Sequence, residues 1–220
     1  MTRAELAQFI DHTVLKPDAT ADDIERLCVE ARNHQFIAVC VNPVWVEFAH
    51  ERLLGSMIKI ASVVGFPLGA SASRLKAAEA QRAVADGADE IDMVLQIGHL
   101  KSGNVDKVRH DIEAVVQASA GKQVKAIFEC ALLTDDEKAR ACDLSMEAGA
   151  AFVKTSTGFS AAGGATVADV HLMRQKVGDR LGVKAAGGIR SLAVANAMIA
   201  AGANRLGTSS SVAILNELSE

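Results

Sequence analysis

Short apolar runs rich in β-branched residues recur along the chain, separated by longer stretches of helical character. The runs cover 9–13, 36–41, 58–64, 90–95, 124–129, 151–155, 182–186 and 203–208. Their starts fall about 20 to 35 residues apart, the span of one strand plus one helix. Runs this apolar suit strands buried on both faces, as in a parallel sheet clad with helices.

The helical stretches carry recognisable ends. Thr134 with Glu137 has the form of a capping box, and Thr20 followed by Asp22 and Asp23 is a similar start that favours the helix dipole. The alanine-rich segments Ser73–Ala85 and 139–148 run into Gly87 and Gly149, the residue type a left-handed C-cap requires. These stops reveal a repeat. Gly87, Gly149 and Gly202 each lead directly into a strand, and five residues past each glycine stand Asp92, Lys154 and Gly207. If each glycine caps its helix, these three occupy equivalent positions near the carboxyl ends of their strands.

Eight strand–helix units fit either a closed barrel or an open doubly wound sheet. The open sheet's nucleotide fingerprints, GxGxxG and GxxxxGKS/T, are missing. The expected fold is therefore α/β, a (β/α)8 TIM barrel, as a single domain over 1–220.

Composition narrows the function. The 220 residues are 50% hydrophobic, 23% charged and 4% aromatic, with no tyrosine and a formal net charge of -4. That content of apolar residues excludes a disordered chain, and the lack of a basic run argues against a nucleic-acid partner. The N-terminal stretch lacks the apolar core of a secretory signal, and no apolar run has membrane-spanning length. A cytoplasmic enzyme is expected. Four cysteines, Cys28, Cys40, Cys130 and Cys142, match no zinc spacing, and the six histidines form no HExxH. No metal site is expected.

In a barrel the reactive groups sit at the carboxyl ends of the strands, so charges inside predicted strands need explaining. Lys59 and Lys125 lie early in their strands and are expected to reach solvent at the bottom face. Lys154 and Lys184 lie late, and Asp92 lies at the level of Lys154. A lysine of ordinary pKa is almost wholly protonated at neutral pH; lowering that pKa to about 7 takes roughly 4.6 kcal/mol of differential interaction. A second ammonium and an apolar wall both act in that direction. The neutral amine could then attack a carbonyl and form a Schiff base, an electron sink for carbon–carbon cleavage, with Asp92 moving protons. The same three residues also fit a buried ion-pair network that only holds the barrel together. Spacing alone leaves both readings open.

Glycines after the last strands favour a phosphorylated ligand. Gly187 and Gly188 follow Lys184, Gly207 and Ser209 close the last run, and Gly158 adds to the same region. Loops after strands seven and eight of a barrel commonly cradle phosphate through backbone N–H groups.

FVKTSTGF, VKAAGGIR, EIDMV, VVGFPLGA, IDHTVLKPDAT and GTSS together closely resemble the deoxyribose-phosphate aldolase family, from Phe9 to Ser210. The resemblance implies a class I aldolase without metal or organic cofactor. Such enzymes reversibly cleave 2-deoxy-D-ribose 5-phosphate to glyceraldehyde 3-phosphate and acetaldehyde. It implies that Lys154 is the Schiff-base nucleophile, Lys184 the second active-site lysine and Asp92 the proton-relay carboxylate. It puts Gly158, Gly187, Gly188, Gly207 and Ser209 at the phosphate, Asp11 and Thr13 along the sugar pocket, and Cys40 at its mouth. The expected partners are a small phosphosugar and copies of the chain in a dimer or tetramer. One departure stands out: Phe159 occupies a position where some members carry a phosphate-holding lysine, leaving Arg190 as a candidate substitute.

Overall fold

A computed structural model describes residues 1–218; Ser219 and Glu220, at the end of the expected 1–220 domain, lie outside the described residues. Eight parallel strands, β1 (Ile10–Val14), β2 (Ala38–Val41), β3 (Lys59–Val64), β4 (Glu90–Val94), β5 (Gln123–Ile127), β6 (Phe152–Lys154), β7 (Gly182–Ala186) and β8 (Arg205–Thr208), close into a barrel in sequence order. Each expected strand is present, with ends shifted by at most two residues. Helix α1 (Arg3–Ala7) precedes the barrel. Around it run α2 (Ala21–His34), α3 (Val46–Leu53), α4 (Ser73–Ala85), α5 (Ile97–Lys101), α6 (Val105–Ala118), α7 (Asp135–Glu147), α8 (Val167–Val177), α9 (Leu192–Ala200) and α10 (Ser211–Asn216).

The local signals act as the sequence suggests. Thr134 and Glu137 exchange backbone bonds as a capping box, and Thr20 does the same with Asp23. The three glycine stops repeat one geometry. Gly87, Gly149 and Gly202 have φ of +108°, +80° and +110°. Each N–H, and that of the following alanine, returns to a carbonyl of the preceding helix in the doubly bonded pattern of a Schellman stop. The next residue then starts the strand: Asp89, Ala151 and Asn204 donate to Ile60, Val124 and Val183 of the neighbouring strand.

That repetition fixes which side chains point inward. Around the barrel the ladder advances two residues at every second strand, the stagger that closes an eight-stranded barrel. Alternate strands therefore stack residues in layers of four. The lowest layer is Ala38, Glu90, Phe152 and Arg205; the next is Asp11, Ala61, Lys125 and Lys184; the third is Cys40, Asp92, Lys154 and Gly207. The expected equivalence of Asp92, Lys154 and Gly207 is thus present as a layer. Ala38, Ala61 and Gly207 leave the volume that the long charged side chains fill. The intervening outward residues, such as Ile10, Val39, Ile91, Val153, Val183 and Leu206, are buried against the helices as the main core.

Candidate active site

Most barrels fill these layers with branched apolar residues; here the centre is ionic. Asp92 Oδ2 accepts from Lys154 Nζ at 2.7 Å and from Lys184 Nζ at 2.7 Å, while its Oδ1 accepts from Lys125 Nζ at 2.8 Å. Lys184 also donates to Asp11 Oδ2, and Lys125 donates to Glu90 Oε2 at 2.5 Å. Arg205 closes the network from below, donating to Asp11 Oδ1 at 2.6 Å and to Glu90 Oε1 at 3.1 Å. All seven side chains are buried.

The lysines are not equivalent. Four buried cations, Lys125, Lys154, Lys184 and Arg205, face three buried carboxylates, Asp11, Glu90 and Asp92, and half-exposed Lys59 adds a further cation at Glu90. Fully ionised, the cluster carries excess positive charge, which a neutral lysine reduces. The environments differ accordingly. Burial pushes the Lys154 pKa below that of an ordinary lysine; Asp92 opposes this and the Lys184 ammonium reinforces it. Burial acts on Lys184 in the same sense, but Asp11 and Asp92 outweigh it and hold that lysine protonated. Burial alone would raise the Asp92 carboxyl; the three lysine cations hold it well below the usual carboxylate range. Asp11 is likewise brought down to about 2 against its desolvation by Lys184, Lys125 and Arg205.

Above Lys154 the barrel opens into a cavity of about 690 Å³. Its wall includes Thr13, Lys154, Gly158, Gly187, Gly188, Gly207 and Ser209. Gly158, Gly187 and Gly188 have φ of +83°, +88° and +80°. A methyl group on Gly187 would come within 3.1 Å of Gly164 Cα and 3.3 Å of Gly158 Cα, so backbone packs on backbone along this wall. Lys16, Arg26 and Arg190 add positive charge at the rim, partly offset by Asp18 and Asp23. Thr157 is tied down from beneath: its N–H donates to Glu129 Oε1 at 3.3 Å, and its hydroxyl donates to Glu129 Oε2.

The chain matches the model of the DeoC/LacD family of aldolases over residues 6–216. It belongs to that family. A deoxyribose-phosphate aldolase of Streptococcus suis (strain 98HAH33) is 57% identical over 212 residues, with 96% of each chain covered. One from Brevibacillus brevis is 57% identical over 208 residues, covering 94% of each. Among solved structures, the tetrameric deoxyribose phosphate aldolase from Aeropyrum pernix superposes with a TM-score of 0.90 at 35% identity, over 98% of this chain and 92% of the other. The structure named "QR15, an Aldolase" gives 0.92 at 38% identity, over 97% and 95%. The chain is an aldolase, a lyase.

In this aldolase the expected residues divide into two sets. Lys154, Lys184, Asp92 and Asp11 meet in the interior, and Thr13 and the glycines line the cavity over it. Cys40 does not stand at the mouth; it is fully buried in the Lys154 layer, and burial raises its thiol pKa. Lys125 does not reach solvent at the bottom face. It is fully buried and bridges Glu90 to Asp92, because the alanines of the lower layers leave room for its stem. Lys59 is partly exposed, and its Nζ turns in to donate to Glu90 Oε1 at 3.1 Å. Glu90 and Arg205 were not singled out from the sequence. The available signal is strand alternation: each lies two residues before a layer position, on the same face.

Proposed function

We propose that the enzyme is a class I aldolase that reversibly cleaves 2-deoxy-D-ribose 5-phosphate to D-glyceraldehyde 3-phosphate and acetaldehyde through an imine on Lys154. The observation that carries this reading is the placement of Lys154. It ends the ionic network, its charged form is disfavoured by burial, and it alone of the seven network side chains lines the cavity.

The neutral Lys154 amine attacks the substrate aldehyde carbon, and loss of water from the carbinolamine leaves an iminium. Withdrawal of the proton from the C3 hydroxyl lets the C2–C3 electron pair move into the iminium. This releases the three-carbon aldehyde phosphate and leaves an enamine. Protonation of the enamine carbon and hydrolysis free acetaldehyde and regenerate the amine. Asp92, a carboxylate at rest, takes the proton that leaves the C3 hydroxyl, through water, and returns it to the enamine carbon, while its Oδ2 joins Lys154 to Lys184. Lys184 stays protonated and favours the neutral form of its neighbour.

The phosphate binds along the glycine wall, with Gly158, Gly187, Gly188, Gly207 and Ser209 supplying close backbone approach and a hydroxyl. Asp11 acts on the sugar end only through Lys184, while Thr13 faces the cavity directly. A homo-oligomer in the cytoplasm, serving deoxyribose phosphate breakdown, is the expected setting; the tetrameric relative supports assembly. Incubation with deoxyribose 5-phosphate and direct assay of acetaldehyde tests the reaction. Acetaldehyde in equal amount to the triose phosphate is expected, and cleavage of a keto acid instead would overturn the substrate assignment.

A further inference from the structure

On β1 the residue after Asp11 points out of the barrel, and it is a histidine with polar partners on both ring nitrogens. His12 is 4% exposed. Its Nδ1 lies 2.9 Å from Ser211 Oγ at the start of α10, and its Nε2 lies 2.6 Å from Glu30 Oε2 on α2. The Phe36 ring stands 5.0 Å from the imidazole; the other titratable group beside it is His34, also from α2.

Two proton arrangements fit these distances. With hydrogen on both ring nitrogens, Nε2–H donates to Glu30, Nδ1–H donates to Ser211 Oγ, and that hydroxyl donates to the Thr208 carbonyl at 3.1 Å. Removing the Nδ1 proton inverts the chain. Nε2–H then donates to Glu30, Nδ1 accepts, the Ser211 hydroxyl turns to His12, and the Thr208 carbonyl loses its bond.

Thr208 is not a neutral anchor. Its hydroxyl donates to the Ile189 carbonyl at 2.6 Å and accepts from Ser210 N–H at 2.9 Å, joining the turn after β8 to the loop after β7. Gly207, Thr208, Ser209, Gly188 and Ile189 all line the cavity. His12 and Thr208 are also register partners on β1 and β8.

We propose that Glu30, His12 and Ser211 form a positioning relay that sets the 207–210 turn for the substrate's phosphate, and that losing one proton from it loosens that turn. The relay rests on the phosphate end of the reading given above. None of the three touches the reacting carbon, so phosphate affinity changes while turnover does not. Burial lowers the His12 pKa against the opposing pull of Glu30, which puts the change on the acid side of an ordinary histidine.

The test measures the Kd of inorganic phosphate by calorimetry, with KM and kcat for deoxyribose 5-phosphate, from about pH 5 to about pH 8. In the unaltered enzyme, Kd and KM should rise about tenfold with pH, the loss of one good hydrogen bond. Glu30→Gln removes the carboxylate that favours the charged ring, so the step should move to lower pH, beyond the pH trend of phosphate itself. Ser211→Ala should show the high values throughout, with kcat unchanged and cleavage of unphosphorylated deoxyribose unaffected. The relay is overturned if Glu30→Gln keeps the unaltered pH step, or if Ser211→Ala binds phosphate as the unaltered enzyme does. Phosphate binding with this pattern but no acetaldehyde would instead reject the proposed reaction and leave the relay standing.

Discussion

Lys154 and Lys184 are register partners on adjacent strands and share one acceptor, Asp92 Oδ2, at 2.7 Å each. Two ammonium groups on one carboxylate oxygen leave the cluster with an excess charge, and the lysine with fewer carboxylate partners is the one placed to lose it. Lys184 has Asp11 as well; Lys154 does not. The inequality of the two lysines follows from that extra carboxylate.

A pH dependence follows. Imine formation needs the neutral amine, and the Lys154 pKa lies below that of an ordinary lysine. Its rate should therefore rise with pH and level off before the pH at which a free lysine, with a pKa of about 10.4, would do so. Asp11→Asn removes a partner that keeps Lys184 charged, letting Lys184 compete for the neutral state. The rise should then shift to higher pH. Initial rates of cyanoborohydride trapping across the alkaline range check both statements.

Stability should separate the lysines. Removing Lys154 as Lys154→Leu leaves three buried cations against three buried carboxylates, so the fold should persist, with a change within about 1 kcal/mol. Lys125→Leu takes away the partner of Asp92 Oδ1 and one of the partners of Glu90, which keeps Arg205 and Lys59, and should cost about 3 to 5 kcal/mol. Urea unfolding of the two variants side by side reads the difference.

Gly187→Ala should act on phosphate affinity. The added methyl would press on Gly158 and Gly164 Cα at a φ of +88° that L residues rarely adopt. KM for deoxyribose 5-phosphate should rise about tenfold or more, kcat should fall far less, and unphosphorylated deoxyribose should be cleaved as before.

The rim offers the converse change. Phe159 packs edge-on against Phe66 at 5.2 Å, joining the loops after β6 and β3, and contributes no charge to the cavity it lines. Phe159→Lys should lower KM for the phosphorylated substrate and Arg190→Ala should raise it. Steady-state kinetics on both variants test whether Arg190 supplies charge that position 159 lacks.

Much of this arrangement was legible in the chain because a repeated stop imposes a repeated register. Gly87, Gly149 and Gly202 each set the distance to the next inward layer, so Asp92, Lys154 and Gly207 could be aligned by counting. The lower half of the network was not legible by the same route. Lys125 stands near a strand start, where a lysine usually reaches water, and only closure of the barrel shows that Ala38 and Ala61 leave it an interior path. Asp11 belonged to the expected pocket lining, but its bonds to Lys184 and Arg205 join strands that lie apart in sequence. The resemblance puts Cys40 at the mouth, but its level is not legible in the chain, because it depends on how β2 staggers against β3. The His12 relay had no sequence signal, since its three members come from three separate segments.

The central claim is that Lys154 carries the substrate as an imine. Borohydride added with deoxyribose 5-phosphate, followed by mass spectrometry of the digested protein, tests it directly. The account predicts a reduced adduct on the peptide containing Lys154, absent without substrate and lost in Lys154→Leu together with activity. An adduct confined to Lys184, or none while cleavage proceeds at full rate, would contradict it.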